Sequence, residues 1–230
     1  MTYSADDKMA LLISGDEALL QVISCFGLSL GFGNRTVQEV CGEAGVDCPT
    51  FLAVVNFVAD GFSRIDTNYE QISLPHLVNY LRQAHIYFLK YLLPDIRIKL
   101  EKALASSTNK VALLILRSFD EYTEEVFIHM DYEDRKVFTY VEDLVSGKIT
   151  EPYKISTYSK HHDLVSDRLT ELKSLLVKYT PNDVDRYLLT TALLDIYACE
   201  KGLEWHCKIE DYLFSPAVLN YEKRVSNNED

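Results

Sequence analysis

The same four-residue spacing of a histidine and a glutamate occurs twice in this chain, at His129 and Glu133 and again at His206 and Glu210. Residues four apart lie above one another on one face of an α-helix, so each pair directs an imidazole and a carboxylate toward one point. Both pairs lie on helical stripes that are otherwise apolar or aromatic. These stripes contain Ile115, Phe119, Tyr122, Val126, Val137, Tyr140 and Leu144 in the first case, and Ala192, Ile196, Cys199, Leu203, Leu213 and Ala217 in the second. Because a buried carboxylate is costly unless a charge neutralises it, the two pairs predict a cation in the core.

Two further histidines lie on apolar helical stripes. The stripe of His85 contains Leu74, Val78, Leu81, Phe88, Leu89, Leu92 and Ile96. The stripe of His162 contains Val165, Leu169, Leu172 and Leu176. His161, one residue earlier, points along a face that soon meets Arg168, so we expect His162 to face the core and His161 to face solvent. Four helices that each place one histidine on the buried face predict a shared metal site.

The composition is that of an ordinary globular protein, with 230 residues of which 47% are hydrophobic and 25% charged. The net charge of −12 argues against nucleic acid as a partner, because phosphate binding needs clustered Lys and Arg. Apolar runs are too short to span a bilayer, and residues 1–8 lack a basic signal-type start, so we expect a cytoplasmic protein without membrane contact. The five cysteines follow neither zinc-ribbon nor disulfide spacing and are expected to be reduced thiols.

Helical periodicity organises most of the chain. It predicts four long helices over residues 74–106, 110–145, 155–179 and 182–215, the last with Pro181 near its start. Short connections imply antiparallel neighbours, so the predicted fold class is all-α, with an up-down-up-down four-helix bundle over residues 69–230. Residues 1–68 predict a small N-terminal helical domain, in which Thr36 and Glu39 form a capping box. Since this domain is short for independent stability, we expect it to pack on the bundle or on the second subunit of a homodimer.

The residues of the predicted site also indicate which metal it holds. They are His85, His129, Glu133, His162, His206 and Glu210. Structural zinc prefers four closed ligands, whereas imidazole and carboxylate with open positions are typical of non-haem iron. Six such ligands in a bundle core predict two non-haem iron ions in an oxo-bridged di-iron centre, with positions left for O2, NO or peroxide. Because Asp211 directly follows Glu210, spacing alone leaves open which of the two is the last carboxylate ligand.

The order of these residues resembles the hemerythrin-like family. One His is followed by H-x-x-x-E, then by one His before an Asp, then by a second H-x-x-x-E. The segments IHMDYEDRKVFTYV around His129, HHD around His162 and WHCKIEDYLFSP around His206 are similar to the branch known as iron-sulfur cluster repair di-iron proteins. This resemblance covers about residues 70–216 and includes all six predicted ligand positions.

The N-terminal region resembles the small domain that precedes the bundle in this branch. The similar stretch is FGLSLGFGNRTVQEVCGEAGVDCPTFLAVV, in which Arg35 and Thr36 fall at a basic-hydroxyl pair of the family. The adjacent cysteine pair that is common there is replaced by Leu30, Gly31 and Phe32. The role of those thiols is therefore not carried over to any cysteine of this chain.

The resemblance implies a function, and two alternatives stay open. It implies a protein that repairs or protects iron-sulfur clusters damaged by nitric oxide or oxidants, with damaged iron-sulfur proteins as partners. A hemerythrin-type O2 or NO carrier or sensor is the first alternative, although oxygen carriers place a second histidine one turn after the third-helix ligand, where this chain has Ser166. A helical protein whose site holds no metal is the second.

Overall fold

The structure, a computed structural model, describes residues 2–16, 18–60, 68–148, 154–157 and 162–227, the side chains of residues 157 and 162–167 excepted. Its α-helices are α1 (Met9–Gly15), α2 (Ala18–Cys25), α3 (Val37–Ala44), α4 (Cys48–Asp60), α5 (Leu74–Tyr87), α6 (Leu93–Leu104), α7 (Lys110–Tyr132), α8 (Phe138–Val145), α9 (His162–Tyr179), α10 (Arg186–Ile209) and α11 (Ser215–Asn227). Short 3-10 turns lie at Tyr69–Gln71 and Ile155–Thr157. The predicted all-α fold is confirmed, because the only β-pairing in the described residues is an isolated bridge between Lys8 and Thr36.

Within the described residues, three π-helical segments interrupt the long helices. They lie at Phe88–Leu92 between α5 and α6, at Glu133–Val137 between α7 and α8, and at Glu210–Phe214 between α10 and α11. A π-turn inserts one extra residue, so the face that a helix presents shifts by about one position after the turn. Two of the three segments begin at a glutamate of the predicted site, and π-turns are frequent at functional sites.

The described residues group into two compact units. Unit 1 takes in the described parts of residues 1–84, 136–158 and 205–230, and unit 2 those of residues 85–135 and 159–204. The predicted division into domains 1–68 and 69–230 has its boundary beside residues 61–67, which are outside the described residues, and it stays a prediction. No helix in the part of the chain that the structure describes has the length and apolar character needed to cross a membrane.

Unit 1 packs the N-terminal helices directly on helices of the predicted bundle. Phe26 stacks on Tyr80 of α5 with ring centroids 4.7 Å apart. Phe57 of α4 meets Trp205 of α10 edge to face at 6.2 Å. The predicted capping box at the start of α3 is confirmed. Thr36 Oγ1 accepts a hydrogen bond from the amide of Glu39, and the Glu39 side chain accepts one from the amide of Thr36. These contacts fix the N-terminal helices against α5 and the last turn of α10.

Unit 2 contains α6, α7, α9 and most of α10 around an apolar core. The buried side chains include Ile96, Leu100, Ile115, Phe119, Tyr122, Leu169, Leu172, Leu176, Ala192, Ile196 and Cys199. Arg97 of α6 bonds Asp120 of α7 at 2.6 Å, and Arg168 of α9 pairs with Glu125 of α7 at 2.7 Å. These ion pairs link α6 and α9 to α7 within unit 2.

The predicted helices differ from the structure at two starts and at one end, because the last helical run continues past residue 215 through α11 to Asn227. The predicted helix 110–145 matches the run from Lys110 to Val145 through α7, the π-segment and α8. The prediction that the last helix begins at residue 182 is wrong, since α10 begins at Arg186. Asp185 caps it by accepting hydrogen bonds from the amides of Tyr187 and Leu188, and its own amide bonds Ala103 O. The third helix, predicted from residue 155, has a 3-10 turn at Ile155–Thr157 and its α-helix begins at His162.

Candidate metal centre

The centre of the site in unit 2 is the carboxylate of Glu133. Its Oε2 lies 3.4 Å from Nε2 of His85, and its Oε1 lies 3.3 Å from Nε2 of His129. Glu133 and His85 are almost fully buried, with side chains 0% and 1% exposed, while the His129 side chain is 11% exposed. His129 reaches Glu133 because the two residues are one turn apart at the end of α7, whereas His85 comes from the end of α5. One buried carboxylate therefore faces two imidazoles.

A second carboxylate contacts the other nitrogen of His85. Asp134 Oδ1 lies 3.2 Å from His85 Nδ1, and the Asp134 side chain is 39% exposed. Sequence reasoning did not select Asp134 as part of the site. Its signal was its position directly after Glu133, but neighbouring helical residues point about 100° apart, so the helical stripe did not include it.

The second histidine-glutamate pair lies in unit 1. His206 Nε2 is 3.2 Å from Glu210 Oε1, and the two side chains are 2% and 0% exposed. Glu210 also lies close enough to Tyr80 to act on it electrostatically. Burial, with smaller contributions from the Cys25 and Glu210 charges, raises the pKa of the Tyr80 phenol well above its usual value. Tyr80 is therefore a neutral phenol beside this pair.

Four of the six predicted ligands form a group that could hold a metal ion. His85, Glu133, His206 and Glu210 are all buried, and each offers a ligand atom of a kind that can bind a cation. The group includes Glu210, and the choice between Glu210 and Asp211 as the last carboxylate ligand stays a prediction. Imidazole nitrogens and carboxylate oxygens in a buried place fit a cation, because the carboxylate charges need compensation there.

The other two predicted ligands, His129 and His162, are not members of this group. His129 is outside this group of four but contacts Glu133, as described above. His162 is the first residue of α9, and its side chain lies outside the described residues, as does the whole of His161. The prediction that His162 faces the core and His161 faces solvent therefore stays a prediction.

Cys199, the buried cysteine nearest to His206 in the sequence, has the character of a small apolar core residue. Cys199 lies two turns before His206 on the same helical face, and it is 1% exposed. Burial raises the pKa of the Cys199 thiol to about 12, against a smaller lowering by a hydrogen bond with Tyr122. A thiol of that kind stays protonated near neutral pH, so it is a poor metal ligand.

Comparison with known protein families gives one match. The hemerythrin HHE cation-binding domain matches residues 76–218 of the chain, which contain all six predicted ligands. Among curated proteins, none matches the chain.

Proposed function

Because this chain belongs to the hemerythrin HHE cation-binding domain family, we propose that it is a non-haem di-iron protein that repairs or protects iron-sulfur clusters damaged by nitric oxide or oxidants. The observation that carries the di-iron part of the proposal is the position of Glu133 between two imidazoles. The repair part rests on the resemblance of the bundle segments and of the N-terminal domain to the cluster-repair branch.

The geometry around Glu133 supports two ions rather than one. Its two oxygens are paired with different histidines, Oε2 with His85 and Oε1 with His129. A carboxylate in this position can give one oxygen to each of two cations, as bundle di-iron proteins do with glutamates on facing helices. Glu210 beside His206 supplies a second carboxylate of the same kind. We assign His162 as a further ligand from the sequence pattern.

The burial of the ligands determines which molecules can reach such a centre. His85, Glu133, His206 and Glu210 are each at most 3% exposed, so the surrounding side chains exclude bulk water and large substrates. His129 is the most exposed of the five described ligands and marks the side from which a small molecule can approach. A pair of irons held there would supply one-electron redox chemistry and open positions for NO, O2 or peroxide. Small diatomic ligands and peroxide are therefore the proposed reactants.

Repair is favoured over stable carriage of O2 by the residue types of the third helix. Oxygen-carrying relatives have another histidine where this chain has Ser166. Fewer fixed ligands leave more coordination positions for exchange, which favours reaction or release of iron over a stable reversible adduct. The proposed partners are damaged iron-sulfur proteins in the cytoplasm.

The metal content tests the di-iron part of this proposal. After anaerobic loading with ferrous iron, the wild-type protein should contain about two irons per chain. His129→Ala removes the partner of one Glu133 oxygen and should lower the content toward one. His76→Ala is the matched control. His76 lies at the start of α5, where it contacts Ser73 and the carbonyl of Gly45 at the end of α3, and it is not one of the predicted ligands. One zinc and no iron in the wild-type protein would overturn the di-iron assignment.

The repair part needs its own experiment. The reduced, iron-loaded protein should restore activity to an iron-sulfur enzyme that has been inactivated by NO or by peroxide. Glu133→Leu removes the carboxylate shared by His85 and His129 and should abolish this reactivation. A stable, reversible O2 complex without any reactivation would support the carrier or sensor instead.

A further inference from the structure

We infer that Asp134 is a positioning residue of the metal centre, which holds the imidazole of His85 in the tautomer that presents Nε2 as the ligand atom. This inference deepens the proposed function and rests on it for the metal, although the tautomer itself can be measured without metal. It concerns a side chain outside the six predicted ligands.

The two nitrogens of His85 face different carboxylates. Nδ1 lies 3.2 Å from Asp134 Oδ1, and Nε2 lies 3.4 Å from Glu133 Oε2. Both carboxylates can accept a hydrogen bond, and the contact of Nδ1 with Asp134 is the shorter of the two, so we place the N–H group on Nδ1 as the donor to Asp134. A neutral imidazole carries a single N–H, which leaves Nε2 with its lone pair directed toward Glu133. Two lone pairs facing each other across 3.4 Å are the arrangement that a shared cation stabilises.

The burial of the two carboxylates explains their different tasks. Glu133 is 0% exposed and Asp134 is 39% exposed, although they are neighbours at the start of one π-segment. The ring of His85 therefore spans from the buried centre to the hydrated edge of the unit. At that edge Asp134 keeps its hydration and can hold Nδ1–H without the burial cost that Glu133 bears. Such outer carboxylates fix the ring orientation and increase the basicity of the ligating nitrogen.

Three variants separate the contact from the charge. Asp134→Leu removes both the acceptor and the charge, and Asp134→Asn keeps an oxygen acceptor while it removes the charge. Asp131→Asn is the matched control, because Asp131 lies one turn earlier, is 34% exposed, and pairs with Arg135 at 2.8 Å. It removes the same charge from the same helix end without touching His85.

The first readout is the tautomer of His85 in the metal-free protein. Long-range proton-nitrogen NMR at alkaline pH, where imidazole is neutral, should show His85 protonated at Nδ1 in the wild type and in Asp131→Asn. The signal is assigned with the His85→Gln variant. Asp134→Leu should show a mixture of both tautomers, and Asp134→Asn should retain most of the Nδ1–H form. A wild-type His85 protonated at Nε2, or an unchanged tautomer in Asp134→Leu, overturns the inference.

The second readout is the affinity for ferrous iron, measured anaerobically against a chromophoric chelator. Loss of an outer-shell carboxylate typically weakens metal binding by about 10 to 100-fold. Asp134→Leu should therefore bind iron more weakly than wild type by a factor in that range, and Asp134→Asn should lose less affinity than Asp134→Leu. Asp131→Asn should stay within about twofold of wild type, as a surface charge does. Equal affinities for Asp134→Leu and Asp131→Asn would overturn the inference. If no variant binds iron while His85 still shows the Nδ1–H tautomer, the proposed function fails instead.

Discussion

Loading the protein with ferrous iron should raise its melting temperature, and Glu133→Gln should remove most of that rise. Glu133 is fully buried and faces both His85 and His129, so glutamine keeps the shape of the side chain but removes the charge that two cations would share. A buried carboxylate is costly when no opposite charge compensates it, and a bound cation would offset that cost.

The size of the expected shift follows from mass action. Free iron at 100 times its dissociation constant stabilises the native state by about 2.7 kcal/mol. For a chain of this length, each kcal/mol corresponds to about 2 to 4 °C, so the wild-type melting temperature should rise by about 5 to 11 °C. If Glu133→Gln weakens binding about 100-fold, as even an outer-shell loss can do, the same iron concentration stabilises it by only about 0.4 kcal/mol. Its melting temperature should then rise by about 1 to 2 °C.

The assay is anaerobic differential scanning calorimetry of the metal-free and iron-loaded forms, with iron binding confirmed separately. Glu124→Gln is the control, because Glu124 is an exposed glutamate on α7 and its loss changes the charge by the same amount. It should keep the full wild-type rise. Equal melting temperatures for the metal-free and iron-bound wild type would refute the inferred burial of the metal-binding carboxylates. An undiminished rise in Glu133→Gln would show that this carboxylate is not a ligand.

Three further predictions test the helical register, a helix cap and the buried thiols. His162→Ala should lower the iron content while His161→Ala leaves it close to wild type, since only position 162 shares the apolar stripe of α9; iron analysis giving the opposite order would mean that the assigned register is wrong by one residue. Thr36→Ala should reduce the free energy of unfolding in urea by about 1 kcal/mol, because it removes the capping box of α3; an unchanged unfolding midpoint would contradict this role. Burial raises the pKa of the Cys199 thiol to about 12, so at pH 8 roughly one molecule in 10⁴ carries this thiolate. Alkylation followed by mass spectrometry should therefore label the partly exposed Cys207 before Cys199, and equal labelling rates for the two cysteines would argue against burial of Cys199.

Helix content and the two histidine-glutamate pairs could be predicted from the sequence because both depend on local geometry. The run from Lys110 to Val145 has a continuous helical pattern, and the structure is helical over the same residues. A spacing of four residues places the two groups of each pair together in any helix, and the pairs are observed at 3.3 Å and 3.2 Å. The stripes of apolar residues likewise predicted most of the buried positions, whereas Leu89, Leu92 and Tyr140 are only half-buried.

The start of α10 shows how a tertiary contact overrides a local signal. Pro181 resembles a first helical residue, which predicted a start at residue 182. In the structure Asp185 is the cap, and its amide is held by the carbonyl of Ala103 at the end of α6. The preceding Asp183 is bound by Ser106, so residues of another helix end determine where this helix begins.

The sequence by itself determined the helices, their buried faces and the residue types that can bind a metal, because these follow from periodicity within one segment. Only the tertiary structure decided that Glu133 faces the distant His85 as well as its own neighbour His129, and that Asp134 contacts the far side of the same imidazole. Such pairings join residues far apart in the chain. They depend on the relative height of packed helices and on the extra residue in each π-turn, and helical periodicity carries no information about either.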